Sequence, residues 1–344
     1  MIRLFIHLGY PKTGTTTLQQ SVFDTLFRDG RLSYLGMFGF QRDDKPNRKD
    51  FFRKLTDAMY LENEVAFETV LPDLRARFKR LVESFDVGAP LLISNEHFTL
   101  SQSSVSRKGE RIEVGRTARR LARVFADVNV DLLMGIRRQD DLAWSLFLEN
   151  RARAGHAHKD EYQDVDAFMQ RLADRQLSGY HLYDFESVLA TYSAAFPKAR
   201  KLVWTYERFR DDPQSVVADI LKFVGLESPC VSASEFDLKP RNVKASSGKP
   251  VALIKVPPII RNAAQLGRSA GLHLDKFSPF RQAIYGLLPK DKPEPPNLTK
   301  RQAIMAAFYL ANANLAARYP ELAANLRDYG YLEERMSSER DNVG

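Results

Sequence analysis

Apolar positions in this chain fall into short, nearly unbroken runs, each followed by a stretch in which they return every three or four residues. The first run, Leu4-Phe5-Ile6-His7-Leu8, is bounded by Gly9 and Pro11, and behind it Leu18, Val22, Phe23, Leu26 and Phe27 keep helical spacing. The pattern predicts a buried strand, a tight loop and a helix. A second run, Leu91-Leu92-Ile93-Ser94, follows a Gly-Ala-Pro break and ends at Asn95-Glu96-His97. The third, from Val130 to Ile136, runs into Arg137-Arg138 and a helical pattern through Leu142, Leu146 and Phe147. The fourth covers Lys201 to Tyr206, with Val216, Ile220, Leu221, Phe223 and Val224 on the helix behind it. Between the first two runs, Leu71, Leu74, Phe78, Leu81, Val82 and Phe85 form one helical stripe suited to core packing. Strands alternating with helices predict an α/β fold, a parallel sheet covered on both faces, with its ligand at the carboxyl ends of the strands.

The remaining segments differ in texture. Gly30 to Asp50, with Arg42, Lys45, Arg48 and Lys49, reads as a solvated loop or as part of a substrate entrance. Lys239 to Pro250 is polar and turn-rich, and Pro289 to Pro296 is a proline-rich connector. Thr299 is expected to cap a helix through Ala317, with a short ending segment from Tyr319 to Glu334. The expected organisation is an α/β domain over residues 1–250 and a helical extension over 251–344 packed on the same domain.

The loop Gly9-Tyr10-Pro11-Lys12-Thr13-Gly14-Thr15-Thr16-Thr17 carries the chemistry. Glycines let backbone N–H groups turn inward, a helix N-terminus adds partial positive charge, Thr15, Thr16 and Thr17 offer hydroxyls, and Lys12 brings a full charge. Such a loop suits a phosphate. A nucleoside-triphosphate P-loop wants its lysine directly after the second glycine. Here that position is Thr15 and the lysine lies inside the loop, at 12.

The segment Pro11-Lys12-Thr13-Gly14-Thr15-Thr16 resembles the 5′-phosphosulfate loop of the sulfotransferases, which binds 3′-phosphoadenosine 5′-phosphosulfate (PAPS). The resemblance implies a P-loop-like sulfotransferase fold, PAPS as co-substrate, 3′-phosphoadenosine 5′-phosphate (PAP) as product and no required metal. It further implies that residues 11–17, Thr17 included, hold the donor. In that family the 3′-phosphate is held by an arginine at a strand end and a serine eight residues later; Arg137 and Ser145 match, as does the acid Asp141. The Asn-Pro pair of the family pattern is replaced by Arg138-Gln139, which leaves the geometry of that turn open. Arg241, in Arg241-Asn242-Val243-Lys244, falls where the family closes over the 3′-phosphate. The region Tyr206-Glu207-Arg208-Phe209 is similar to a family segment and reads as structural. For catalysis, Lys12 is the expected electrophile at the leaving phosphate and Glu96 the expected base, with His97 in reserve.

Composition narrows this further. The 344 residues are 44% apolar and 27% charged with a net charge of +8, an ordinary globular composition with a bias toward anionic partners. One cysteine, Cys230, excludes an internal disulfide framework, and His156 and His158 lack companions at metal-ligand spacing. No apolar run of about 18 residues and no room for a signal peptide are seen, so a cytoplasmic location without a membrane span is expected. The arginines 116, 119, 120 and 123 read as a solvated helix face or an anion groove. The acceptor is expected to be a hydroxyl, with an amine as the lesser alternative, of a carbohydrate or glycolipid, and nucleic acid is not an expected partner. Two rivals stand beside this reading: a P-loop kinase or NTPase, and a non-catalytic polyanion-binding protein using the arginine stripe.

Overall fold

Strand β1, Arg3–His7, sends Leu4 and Ile6 to one face and Phe5 and His7 to the other, and all four side chains are buried. Only a central strand covered on both sides permits this. In the computed structural model, which describes residues 3–36, 46–85, 88–99, 113–153, 162, 164–177, 179–226, 231–239, 253–254, 290–291 and 294–332, β1 is the middle of a five-stranded parallel sheet. The order is β2-β3-β1-β4-β5, with β2 Ser33–Gly36, β3 Leu91–Ser94, β4 Asn129–Ile136 and β5 Lys201–Thr205. Register is set by pairs such as Ile6 with Ile93 and with Leu132, and Met134 with Val203.

Four of these strands coincide with the four apolar runs. The fifth, β2, lies in the stretch read as a solvated loop. All four of its residues are buried and they pair with β3 from Ser33–Leu91 to Gly36–Ser94. Four residues carry too short a pattern to announce an edge strand; pairing defines it. The same stretch holds Arg48, buried with its guanidinium over Phe27 at 4.9 Å and Phe85 at 4.5 Å, so this arginine packs inside.

One face of the sheet, with Phe5, Leu92, Leu133 and Trp204, packs on the first helix and on helix Pro213–Val224. The other, with Leu4, Ile6, Ile93, Leu132 and Met134, packs on helices Glu64–Glu83, Val114–Val124, Gln139–Arg153 and Phe185–Ala195. Helix Leu298–Arg318 joins the same core through Ile304, Phe308 and Leu315, and helix Pro320–Asp328 through Leu322 and Leu326. The cap of the former is Asn297, whose side chain accepts from the Lys300 N–H at 2.9 Å, in place of the expected Thr299.

The arginine stripe also differs from its expected reading. Arg120 is fully buried and donates to the carbonyls of Ala58, Leu61 and Asn63 at 2.9–3.0 Å, tying off the turn before helix Glu64–Glu83. Burial lowers its pKa, opposed by the carboxylate of Glu64. Arg116 donates to the Glu62 carbonyl and Arg123 pairs with Glu68, so three of these four arginines are engaged within the fold. Arg107, Lys108 and Arg111, like His156, His158 and Cys230, lie outside the described residues. No helix among the described residues is long and apolar enough to cross a membrane.

Candidate donor site

The loop leaving β1 contains three left-handed residues: Gly9 at φ +42°, Lys12 at φ +63° and Gly14 at φ +80°. For Lys12 this costs about 1 kcal/mol, since an L side chain crowds its own carbonyl there. The glycines have no alternative. A Cβ on Gly9 would lie 2.8 Å from the Glu96 nitrogen, and one on Gly14 would lie 2.6 Å from the Phe209 ring. The loop is thus pressed between the segment after β3 and the helix after β5.

Two threonine hydroxyls close it from inside. Thr13 Oγ1 and Thr15 Oγ1 donate to the Tyr10 carbonyl at 2.7 and 2.9 Å, and both side chains are buried. The Tyr10 hydroxyl, also buried, donates to the Leu182 carbonyl. The Thr15 hydroxyl, expected to face an anion, braces the loop instead; Thr13 and Thr15 can serve a ligand through their backbone. The helix starts as Thr15–Thr17, widens into a π-helical stretch over Leu18–Phe23 and closes as Asp24–Arg28. Its first intrahelical bond is Leu18 N–H to the Gly14 carbonyl, at 3.2 Å. The N–H groups of Thr15, Thr16 and Thr17 stand ahead of it, at the positive end of the helix. The start of this helix and Lys12 form the candidate anion cradle.

Arg137, at the end of β4, lies alongside. Its Nη1 donates to the Lys12 carbonyl at 3.1 Å and its guanidinium sits 4.6 Å over the Tyr206 ring. Its Nε is buried with no partner among the described residues, a guanidinium edge left for an acceptor. Ser145 is buried on helix Gln139–Arg153. Asp141 pairs with Arg301, on the C-terminal helix. Arg241 lies outside the described residues.

Three partners were not foreseen from sequence. Glu149 pairs with Lys12 at 3.0 Å; it stands four residues after Ser145 on the same helix face, a spacing that sequence does display. Tyr60 holds His97, with its hydroxyl 2.5 Å from Nδ1, and burial pushes the imidazole below the usual histidine range. Thr56 accepts a bond from the Asn95 side chain at 3.0 Å, and Asn95 accepts from the His97 N–H at 2.9 Å. The Asn95–His97 segment is therefore fixed, with Glu96 and His97 both half-buried.

The elements of a donor site are together: an anion-cradling loop, a lysine within it, an arginine edge one strand over, and a carboxylate segment against Gly9. The cradle and the Arg137 Nε are separate donors beside one another that could hold anionic groups of a nucleotide. Among the described residues no group of three or more His, Cys, Asp or Glu side chains stands together as a metal site.

Comparison with known proteins gives a family model, described as a sulfotransferase domain, that matches residues 3–239. Among solved structures, a sulfotransferase from Alicyclobacillus acidocaldarius is 16% identical, with 82% of this chain and 99% of that one covered at a TM-score of 0.40. The sulfotransferase domain from the curacin biosynthetic pathway is 14% identical over 65% of this chain and 74% of that one, TM-score 0.30. Retinol dehydratase, solved with retinol and PAP, is 15% identical over 95% of this chain and 82% of that one, TM-score 0.31. No curated protein matches the sequence.

Proposed function

Because the chain belongs to the sulfotransferase domain family, whose members use PAPS and release PAP, we propose that it sulfates a hydroxyl of a carbohydrate or glycolipid, with Lys12 at the leaving phosphate and Glu96 as base. Bound PAPS supplies an activated sulfuryl group; the protein's task is to align nucleophile and leaving group and to neutralise charge on the leaving phosphate. In this reading residues 11–17 hold the 5′ end through Lys12 and the helix-start N–H groups, and Arg137 and Ser145 hold the 3′-phosphate. Arg241 joins them in the proposal on its sequence position alone.

The observation that carries the reading is the Arg137 guanidinium on the Lys12 carbonyl with its Nε buried and without a partner among the described residues. In this reading the group proposed for the 3′-phosphate stands beside the loop proposed for the other end. Glu96 is preferred to His97 as base because the His97 Nδ1 is engaged by Tyr60 and burial disfavours its protonated form. The net charge of +8 favours an acidic or polar acceptor over a neutral phenol. The kinase reading lacks its lysine after Gly14, and the polyanion reading loses Arg116, Arg120 and Arg123 to contacts within the fold.

The test is transfer of labelled sulfuryl from PAPS to a panel of carbohydrate, glycolipid and phenol acceptors. Lys12→Ala is expected to lower transfer by about a hundredfold or more. Glu96→Gln is expected to lower turnover by about a hundredfold with PAP affinity kept. Turnover unchanged in Glu96→Gln would remove the base assignment, and transfer only to phenols would remove the acceptor class.

A further inference from the structure

Residues 298–332 lie beyond the 3–239 matched by the family model, yet they hold the turn that presents Arg137. We propose that Asn312 and Tyr331 are positioning residues of the donor site, which fix this turn and so set the preference for a 3′-phosphorylated nucleotide. The proposal rests on the assignment of the 3′-phosphate to Arg137 made above.

The argument starts from the two residues at which the turn departs from the family pattern. A proline there would fix its own φ; Arg138-Gln139 has no such constraint, so rigidity must come from contacts. Gln139 is fully buried and its amide is paired reciprocally with Asn312, giving to Oδ1 at 2.7 Å and accepting from Nδ2 at 3.2 Å. Asn312 donates again to the Tyr331 carbonyl at 3.0 Å. The Arg138 N–H donates to one oxygen of Glu207 at 3.0 Å, and the Tyr331 hydroxyl donates to the other at 2.8 Å. On the turn's outer side the Arg138 guanidinium grips buried Asp140 at 2.9 Å, which also takes the Arg301 Nε at 2.8 Å. Both the backbone and the side chains of residues 138–140 are thus held from the C-terminal helices or through Glu207.

Glu207 extends the hold to the ligand side. It belongs to helix Tyr206–Asp211, in which Tyr206 lies beneath the Arg137 guanidinium and Phe209 touches Gly14. A buried carboxylate needs its donors: burial raises the Glu207 pKa, and the Arg138 N–H and the Tyr331 hydroxyl pull it back. Loss of the Tyr331 hydroxyl leaves one oxygen of Glu207 without that donor and loosens the helix that floors Arg137. The 5′ cradle leaves β1 and meets this helix at Gly14 through Phe209, whereas the Tyr331 hydroxyl acts at Glu207, next to the Tyr206 that underlies Arg137. A shift in Arg137 should therefore be felt at the 3′-phosphate first.

The experiment compares dissociation constants for PAP and for adenosine 5′-phosphate, which lacks the 3′-phosphate, by titration calorimetry on the full chain. Tyr331→Phe is expected to weaken PAP by about tenfold, the weight of one charge-assisted hydrogen bond, and adenosine 5′-phosphate by less than about twofold. Arg301→Gln, on the more exposed side of the turn, is expected to shift the ratio the same way by a smaller factor and serves if Tyr331→Phe or an Asn312 variant fails to fold. Leu310→Ser, on the exposed face of the same helix at 69% exposure, should change neither constant. An unchanged PAP to adenosine 5′-phosphate ratio in both Tyr331→Phe and Arg301→Gln overturns the proposal, as does an equal weakening of both ligands. Arg137→Ala separates the two levels of inference. If it leaves the ratio intact, the assignment of Arg137 itself has failed; if it abolishes the preference while Tyr331→Phe does not disturb it, only the positioning role has failed.

Discussion

At the scale of single residues, the Lys12 ammonium has a partner before any donor arrives. Glu149 holds it at 3.0 Å with both side chains partly exposed, so the pair is worth at most about 1 kcal/mol. An incoming phosphosulfate must displace Glu149 and endure its negative charge. Glu149→Gln is therefore expected to tighten PAP by about two- to fivefold and to steepen the salt dependence of binding, both read by calorimetry at two ionic strengths. Weaker PAP binding in this variant would mean that Glu149 orients the lysine and does not compete for it. His97 shows why residue type alone misleads in choosing a base. A histidine titrates near neutrality in water, but burial lowers the pKa of this one and weakens it as a proton acceptor, while Tyr60 engages its Nδ1, so the proposed reaction takes the neighbouring carboxylate as base.

At the scale of elements, the donor loop is shaped as much by its neighbours as by its own glycines. Gly14 has two reasons to lack a side chain: φ +80° and the Phe209 ring 2.6 Å from where a Cβ would stand. Gly14→Ala should displace helix Tyr206–Asp211 or the loop itself, and the expected result is loss of the thermal stabilisation that PAP gives the parent protein. That stabilisation is about 2.7 kcal/mol at a hundred times the dissociation constant. Phe209→Ala in the Gly14→Ala background makes room for the Cβ without relieving φ. Partial recovery of the shift would assign the defect to the clash, and none would assign it to the backbone. The π-helical stretch Leu18–Phe23 behind the loop is a second element-scale feature invisible to a search for helical spacing, because its apolar residues still fall on one side.

At the scale of the whole molecule, the interior under the loop carries polar groups that respond to acid. His7 is fully buried on β1, bonded to the Ser94 hydroxyl at 2.8 Å and stacked on Trp204, and burial pushes its pKa down to about 3. In the unfolded chain a histidine takes its proton near pH 6.5. Between pH 6.5 and about 3 the unfolded state binds the extra proton, so the stability tied to neutral His7 is full above 6.5 and drains as the pH falls through that window. The slope is about 1.4 kcal/mol per pH unit in the middle of the window. Melting temperatures measured from pH 7 to pH 4 should fall steeply in the parent protein and less steeply in His7→Gln, even if the variant starts lower; parallel curves would exclude His7 as the source. The sequence by itself determined the strands β1, β3, β4 and β5, the order of elements, and the donor loop, because these are written in consecutive residues: an apolar run, a glycine turn, a helical stripe. It also named Lys12, Glu96 and Arg137 as candidate site residues, since each stands within five residues of a strand's end and the carboxyl ends of parallel strands converge. What only the tertiary structure decided is which groups those residues meet. The edge strand β2, the burial of Arg48 and Arg120, the pairing of Lys12 with Glu149, and the tie from Asn312 and Tyr331 to the Arg137 turn all join residues from 21 to 173 positions apart. Contacts at such separations are fixed by packing, and packing leaves no period in a single sequence from which they could be read.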